Sequence, residues 1–198
     1  MNFNNPKKLQ SRIDTIINPY RNNISKSFES NKQYWTLCAN CTIENCELDQ
    51  MVSSSFIKSK QFFGIDHDLE TIEKNRKLNT EATFIHGDFF AVLASYKPFN
   101  PGIVNMDCLN TFETEKGNIK KVFSLLQRHS RLLFNINVLL GNYQVKLRNP
   151  LDFMEFIIKD SDMNYFIVNN KWKLSVNTYI YKGLGSVTKM MSVGLIKL

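Results

Sequence analysis

Residues 62–88, FFGIDHDLETIEKNRKLNTEATFIHGD, decide how the whole chain is read. FFGID (62–66) is a short apolar run ending in a carboxylate, Leu69–Asn79 carries a helical pattern, and TFIHGD (83–88) is a second apolar run ending in Gly-Asp. Strand, helix and strand in that order make one βαβ unit, whose two strands lie parallel. Asp68 and Asp88 stand just before helical segments, where a carboxylate can accept from free helix N–H groups. Asp66 and Asp88 lie 22 residues apart, the distance of one αβ step.

Outward from this unit the alternation continues. YWTLCA (34–39), IVNMD (103–107) and LLFNINVLL (132–140) read as further buried strands. Glu44–Phe56, Phe89–Tyr96 and Thr114–Arg131 read as the helices between them, and the last carries Ile119, Val122, Phe123, Leu125 and Leu126 on one broad face. A parallel sheet is the expected result. After one more helix at about Leu151–Ile158 the pattern changes to two long β-like stretches, Lys171–Lys182 and Val187–Leu198, around Gly183-Leu184-Gly185-Ser186. This reads as an antiparallel hairpin. Upstream, Pro6–Ser30 has helical spacing at Leu9, Ile13, Ile16, Ile17 and Tyr20, interrupted near Pro19, so one or two short helices are expected there. The division is a helical cover over 1–33 and an α/β body over 34–198, together one domain, which is what 198 residues allow.

Composition narrows the class. An apolar fraction of 43% with 15 Phe, 7 Tyr and 2 Trp excludes a disordered chain. No apolar stretch approaches the ~20 residues that span a bilayer, and MNFNNPKKLQSRID lacks the apolar core of a signal peptide. The expectation is a soluble, intracellular, cytoplasmic protein without a membrane partner. The net charge of +7 is unevenly placed. Residues 1–33 carry six basic and two acidic groups, residues 163–198 carry five basic and none acidic, and the centre is slightly acidic. Basic ends keep a polyanionic partner in view, although a Lys-rich composition also has a bland origin in base composition.

Five βα steps, one further helix and a closing hairpin resemble the class I S-adenosylmethionine-dependent methyltransferase fold. That is a Rossmann-like α/β architecture with a seven-stranded, mostly parallel sheet, a C-terminal antiparallel β-hairpin and helices on both faces, here with an extra N-terminal helical segment. The resemblance covers roughly residues 34–198. It implies that Asp66, at the end of strand 2, accepts hydrogen bonds from the cofactor's ribose hydroxyls, as a strand-end carboxylate does in dinucleotide-binding sheets. His67 would then pack on the adenine, Asp88 would accept from the adenine amino group, and Phe89 would offer a backbone N–H or an apolar face. The alternative for Asp66 and Asp88 is helix capping alone.

At the end of strand 4, Asp107 matches a recurrent acidic position facing the methyl acceptor, and Asn110 is its nearest polar neighbour. The run here, VNMDCLNT (104–111), has no Asp/Asn-Pro-Pro-aromatic sequence for an exocyclic amine and no Pro-Cys pair for pyrimidine attack, which disfavours adenine-N6 and cytosine-C5 chemistry. The turn after strand 1 departs most from the family. Cys38-Ala39-Asn40 stands where a Gly-x-Gly turn usually approaches the cofactor, and only 8 glycines occur in the chain.

Cys38, Cys41, Cys46 and Cys108 would meet at one sheet edge, so a zinc site is conceivable. Small buried thiols are the better expectation, with zinc unlikely. His67, His86 and His129 show no metal spacing, and His129 reads as an exposed residue near a helix end. The expected function is transfer of a methyl group from S-adenosylmethionine to nucleic acid, RNA before duplex DNA, with Lys7, Lys8, Arg12, Lys171, Lys173 and Lys189 on phosphates. A non-catalytic scaffold for nucleic acid or a protein partner is the alternative, and a methyltransferase for a small molecule or protein is the third reading. A homo-oligomer is compatible with each.

Overall fold

A computed structural model describes residues 6–38, 46–139, 159, 161–169, 171–182 and 189–198. Seven strands form one sheet: β1 (Gln33–Leu37), β2 (Phe62–Asp66), β3 (Thr83–His86), β4 (Pro101–Thr111), β5 (Leu132–Leu139), β6 (Trp172–Lys182) and β7 (Lys189–Lys197). Their order is β3-β2-β1-β4-β5-β7-β6. The first five run parallel, and β7 lies antiparallel between β5 and β6. The expected fold class is therefore present, with the terminal hairpin inserted as anticipated.

The helices are α1 (Pro6–Arg12), α2 (Asn18–Asn23), α3 (Glu47–Ser53), α4 (Leu69–Leu78), α5 (Phe89–Ser95), α6 (Phe112–Leu126) and α7 (Ser161–Asn169). Between α1 and α2 the chain does not break at Pro19. It passes through a wider π-helical turn, Ile13–Ile17. Proline has no N–H to return to the carbonyl four residues earlier, and a π turn is a known way for a helix to absorb such a local defect. Helix α6 stops five residues before the expected Arg131, which instead takes a left-handed φ of 55°. The expected helix at 151–158 lies outside the described residues, and α7 was not anticipated.

The pleat sorts the sheet into two faces. One carries Trp35, Val104, Met106, Phe134, Ile136 and Val193 and is packed with residues of α5, α6 and α7. The other carries Tyr34, Phe62, Ile103, Leu133 and Ile196 beneath the N-terminal helices, α3 and α4. The second face is also crossed by a buried polar line. Asn105 Nδ2 donates to Thr36 Oγ1 (3.3 Å) and Glu47 Oε1 (2.8 Å), and Asn105 Oδ1 accepts from Asn135 (2.8 Å) and Asn137 (3.1 Å). Ser192 Oγ continues it from Asn135 Oδ1 (3.3 Å) to Thr15 Oγ1 (2.9 Å) in the π turn. Each of these polar groups therefore has a partner where water cannot reach. The N-terminal segment is hydrogen-bonded into the body of the sheet.

Candidate active site

Ligands of open parallel sheets sit beyond the carboxyl ends of the strands, where the strand order reverses. Here the reversal is between β1 and β4, and a cleft of about 620 Å³ opens there, a size ordinary for a cofactor site. Cys38, Asp66, His67, Asp88, Phe89, Asp107 and Asn110, all anticipated from sequence, line it. Ala39, Asn40 and Cys41 lie outside the described residues.

Asp66 ends β2 and does not cap the helix that follows. Its Oδ1 accepts from the Asp68 amide (2.9 Å), while Asp68 is the cap, accepting from the Glu70 amide (3.1 Å) and the Thr71 hydroxyl (2.7 Å). These bonds hold the Asp68 carboxyl below its ordinary pKa, the Thr71 bond most of all. His67 is largely exposed, with Nδ1 3.3 Å from Asp66 Oδ1. Asp88 lines the cleft and also caps α5, accepting from the Ala91 amide (2.9 Å). Gly87 makes this turn possible. Its φ is +150°, and its N–H donates to Asp66 O (2.9 Å), joining the β2 and β3 ends.

Asp107 lies within β4, where the regular pairing with β5 ends in an irregularity before Thr111, not at the strand end expected from sequence. It is ion-paired through Oδ2 with Lys8 Nζ at 3.0 Å. Its Oδ1 is buried with no hydrogen-bond partner among the described residues, and an unmatched buried acceptor costs about 1–3 kcal/mol until a donor arrives. Arg12, one helical turn after Lys8, pairs with Glu47 Oε2 at 3.0 Å and also donates to Gln50. Glu47 further accepts from Tyr34 Oη (2.6 Å) and Asn105. Both lysine and arginine thus line the cleft from α1.

No protein-family model matches the sequence, and no curated protein does. Solved structures do match. The chain aligns with a geranyl diphosphate methyltransferase in complex with SAM at a TM-score of 0.54 and 7% identity, covering 96% of this chain and 84% of that one. It aligns with the fibrillarin pre-rRNA processing protein of Methanococcus jannaschii at 0.54 and 10%, covering 96% and 75%, and with P. horikoshii TYW2 in complex with MeSAdo at 0.55 and 10%, covering 96% and 62%. The chain has the class I S-adenosylmethionine-dependent methyltransferase fold.

Within this methyltransferase fold, several cleft residues were not read from sequence. Glu47 and Glu115 are buried carboxylates in the first turns of α3 and α6. Their only signal was an acidic residue early in a helix after a strand. Asn118 and Phe90 also line the cleft. The thiols behave as small buried groups: Cys38, Cys46 and Cys108 are all buried. Burial pushes the Cys38 and Cys108 thiols well above the ordinary range, with Asp66 and Glu115 adding to it, respectively. They are held as neutral thiols, the unreactive form. Cys38 fits because Gly64 on β2 has no side chain: a Cβ there would stand 2.8 Å from Cys38 Sγ. Among the described residues no group of three or more His, Cys, Asp or Glu is placed to hold a metal ion.

The six basic residues expected on phosphates are not gathered on one surface. Lys7 is exposed on α1 beside Lys8, while Lys171 and Lys173 are exposed at the start of β6, at the opposite edge of the sheet. Lys189 opens β7, with its side chain outside the described residues. Tyr34, Trp35 and Trp172 are core residues. His129 departs from expectation: it is half-buried, edge-on to Phe99 at 5.2 Å. No helix among the described residues is long and apolar enough to cross a membrane.

Proposed function

We propose that the chain is an S-adenosylmethionine-dependent methyltransferase acting on nucleic acid, RNA before duplex DNA. The observation that carries the reading is Asp66: a carboxylate at the end of β2, beside the switch point and inside the cleft, relieved of capping by Asp68. Asp66 would hold the ribose hydroxyls, His67 and Phe89 would flank the adenine, and Asp88 would accept from its amino group. The Asp107 and Asn110 side would take the acceptor. When bound, the cofactor supplies a methyl group on a positively charged sulfonium. The protein's part is to orient the two reactants, which accounts for much of the acceleration in such transfers.

Support for the cofactor comes from the SAM and MeSAdo held by two of the similar structures. Support for RNA comes from the fibrillarin pre-rRNA processing protein and from the basic ends of the chain. The glycine-free turn after β1 favours the scaffold alternative, because a Cβ keeps backbone away from a ligand. Calorimetry separates the two. S-adenosylmethionine and S-adenosylhomocysteine should bind, and Asp66→Ala should weaken both by about a hundredfold or more, the worth of two hydrogen bonds to a charged group. No detectable affinity for either compound would overturn the enzymatic reading. Binding that survives Asp66→Ala unchanged would overturn the site assignment.

A further inference from the structure

The acceptor side of the cleft is built from hydrogen-bond acceptors. Glu115 is buried, and each of its oxygens already has a donor: Asn110 Nδ2 on Oε1 (2.6 Å) and Asn118 Nδ2 on Oε2 (3.0 Å). A carboxylate only accepts, so both amides must turn their NH₂ groups toward it. Chemistry therefore fixes the amide orientations. The carbonyl oxygens of Asn110 and Asn118 remain for another donor, beside Asp107 Oδ1, which has none. Cys108 is a buried thiol on the same strand, and burial together with the Glu115 and Asp107 charges keeps it protonated.

Charge points the same way. Among the described residues five carboxylates line the cleft against two cations, Lys8 and Arg12, and each cation is in an ion pair with one of those carboxylates. A phosphate entering this cleft meets net negative charge. Of the other basic residues expected on phosphates, Lys7, Lys171 and Lys173 are not among the described residues that line the cleft. A backbone held outside and a base turned inward reconciles an acidic cleft with a basic chain.

We propose that the acceptor subsite recognises an exocyclic amino group of a nucleobase, through Asp107 Oδ1 and the Asn110 and Asn118 amide oxygens, with Glu115 as the positioning residue that sets both amides. This rests on the reading of the cleft as a methyltransferase site for nucleic acid. It also answers the missing Asp/Asn-Pro-Pro run: acceptors from β4 and α6 together take the place of one contiguous motif.

The test uses the full chain saturated with S-adenosylhomocysteine and titrated with cytidine or uridine. These differ at one position, an amino group against a carbonyl oxygen. With Lys8 engaged by Asp107 and the remaining described groups of this wall acceptors, cytidine should bind at least about tenfold more tightly than uridine, which sets acceptor against acceptor. Glu115→Gln replaces one accepting oxygen with a donor and frees one amide to flip. It should bring the ratio to within about threefold. Equal or tighter binding of uridine, or binding of neither nucleoside, overturns the proposal, and the wild-type ratio stands whether or not the variant folds. A ratio unmoved in folded Glu115→Gln overturns the role of Glu115. Finally, RNA incubated with labelled S-adenosylmethionine and digested to nucleosides should carry the label on base amino nitrogen. Label on the ribose oxygen sinks this inference but leaves the methyltransferase reading standing, whereas failure to bind S-adenosylhomocysteine removes both.

Discussion

The two edges of the sheet use charge in opposite ways. At the amino edge stand Lys32, Lys97, His129, Arg131 and Lys197, close to the starts of β1, β4 and β5 and the end of β7. Several of their polar hydrogens are spent on the chain's own carbonyl oxygens. Lys32 donates to Ser130 O (3.2 Å), Arg131 to Ile24 O (3.3 Å), and Lys197 to Leu126 O and Gln127 O at the end of α6. Cations there complete helix and loop ends whose carbonyls lack intrahelical partners. At the carboxyl edge stand Asp66, Asp88, Asp107 and Glu115, lining a cleft. There the carboxylates organise the loops and still leave acceptor capacity, most plainly at Asp107 Oδ1. The amino edge satisfies its charges within the chain, and the carboxyl edge leaves Asp107 Oδ1 without a partner among the described residues.

The comparison breaks first at Glu47, a carboxylate of the cleft that is as internally committed as the amino-edge cations. It receives hydrogen bonds from Tyr34, Asn105 and Arg12 and is buried, as is most of Arg12. Glu47→Leu should cost about 3–5 kcal/mol, because it strands a buried guanidinium. Urea unfolding would measure it, and adding Arg12→Met should recover much of the loss. A cost under ~1 kcal/mol would mean that the pair is solvated and that Glu47 belongs with the ligand-facing carboxylates.

Lys197 tests the other edge. It is buried and its ammonium lies 5.8 Å from the Trp172 ring centre while capping α6. Lys197→Met keeps the stem and removes the donor from Gln127 O, while Leu126 O keeps the His129 amide (3.1 Å). The expected loss is about 1–2 kcal/mol, with S-adenosylhomocysteine affinity unchanged. A variant of wild-type stability that binds the cofactor product more weakly would reverse the assignment of the two edges.

How far these edges were legible in the sequence differs. The β2–α4–β3 unit was read nearly to the residue, since each strand is a dense apolar run bounded by a polar cap: FFGID and β2 coincide, and Asp68 and Asp88 do cap. Asp66, His67, Asp88, Asp107 and Asn110 were found because the expected strand ends place them by topology alone. Glu47, Glu115 and Asn118 were not, because their importance comes from partners far along the chain, such as Arg12, 35 residues before Glu47. The amino edge was least legible. Lys197 looked like one of several C-terminal charges, and its job is set by the end of α6, 70 residues earlier. The polar line from Thr36 to Thr15 was likewise invisible, since Asn in an apolar strand reads as a weak strand former until its cross-strand neighbours are known.

The smallest expected effect concerns His129, and it gives the amino edge a pH signature. Burial lowers its pKa below the usual 6.5, and Lys32, Lys197 and Lys97 push it the same way. The folded chain therefore binds this proton less readily than the unfolded chain does. Stability should be flat above about pH 7 and should fall as pH drops through 6.5, until the lowered folded pKa is reached. Because the ring is only half-buried, the drop will be modest. His129→Gln should remove that part of the slope, as read from urea midpoints between pH 7 and pH 5 in wild type and variant. An unchanged slope would mean that the ring titrates as in water, and that the cationic edge imposes no cost on a further positive charge. If the slope is lost as expected, the amino edge has reached the limit of positive charge it can hold, whereas the carboxyl edge, with its unpartnered Asp107 oxygen, is arranged to receive a donor from outside.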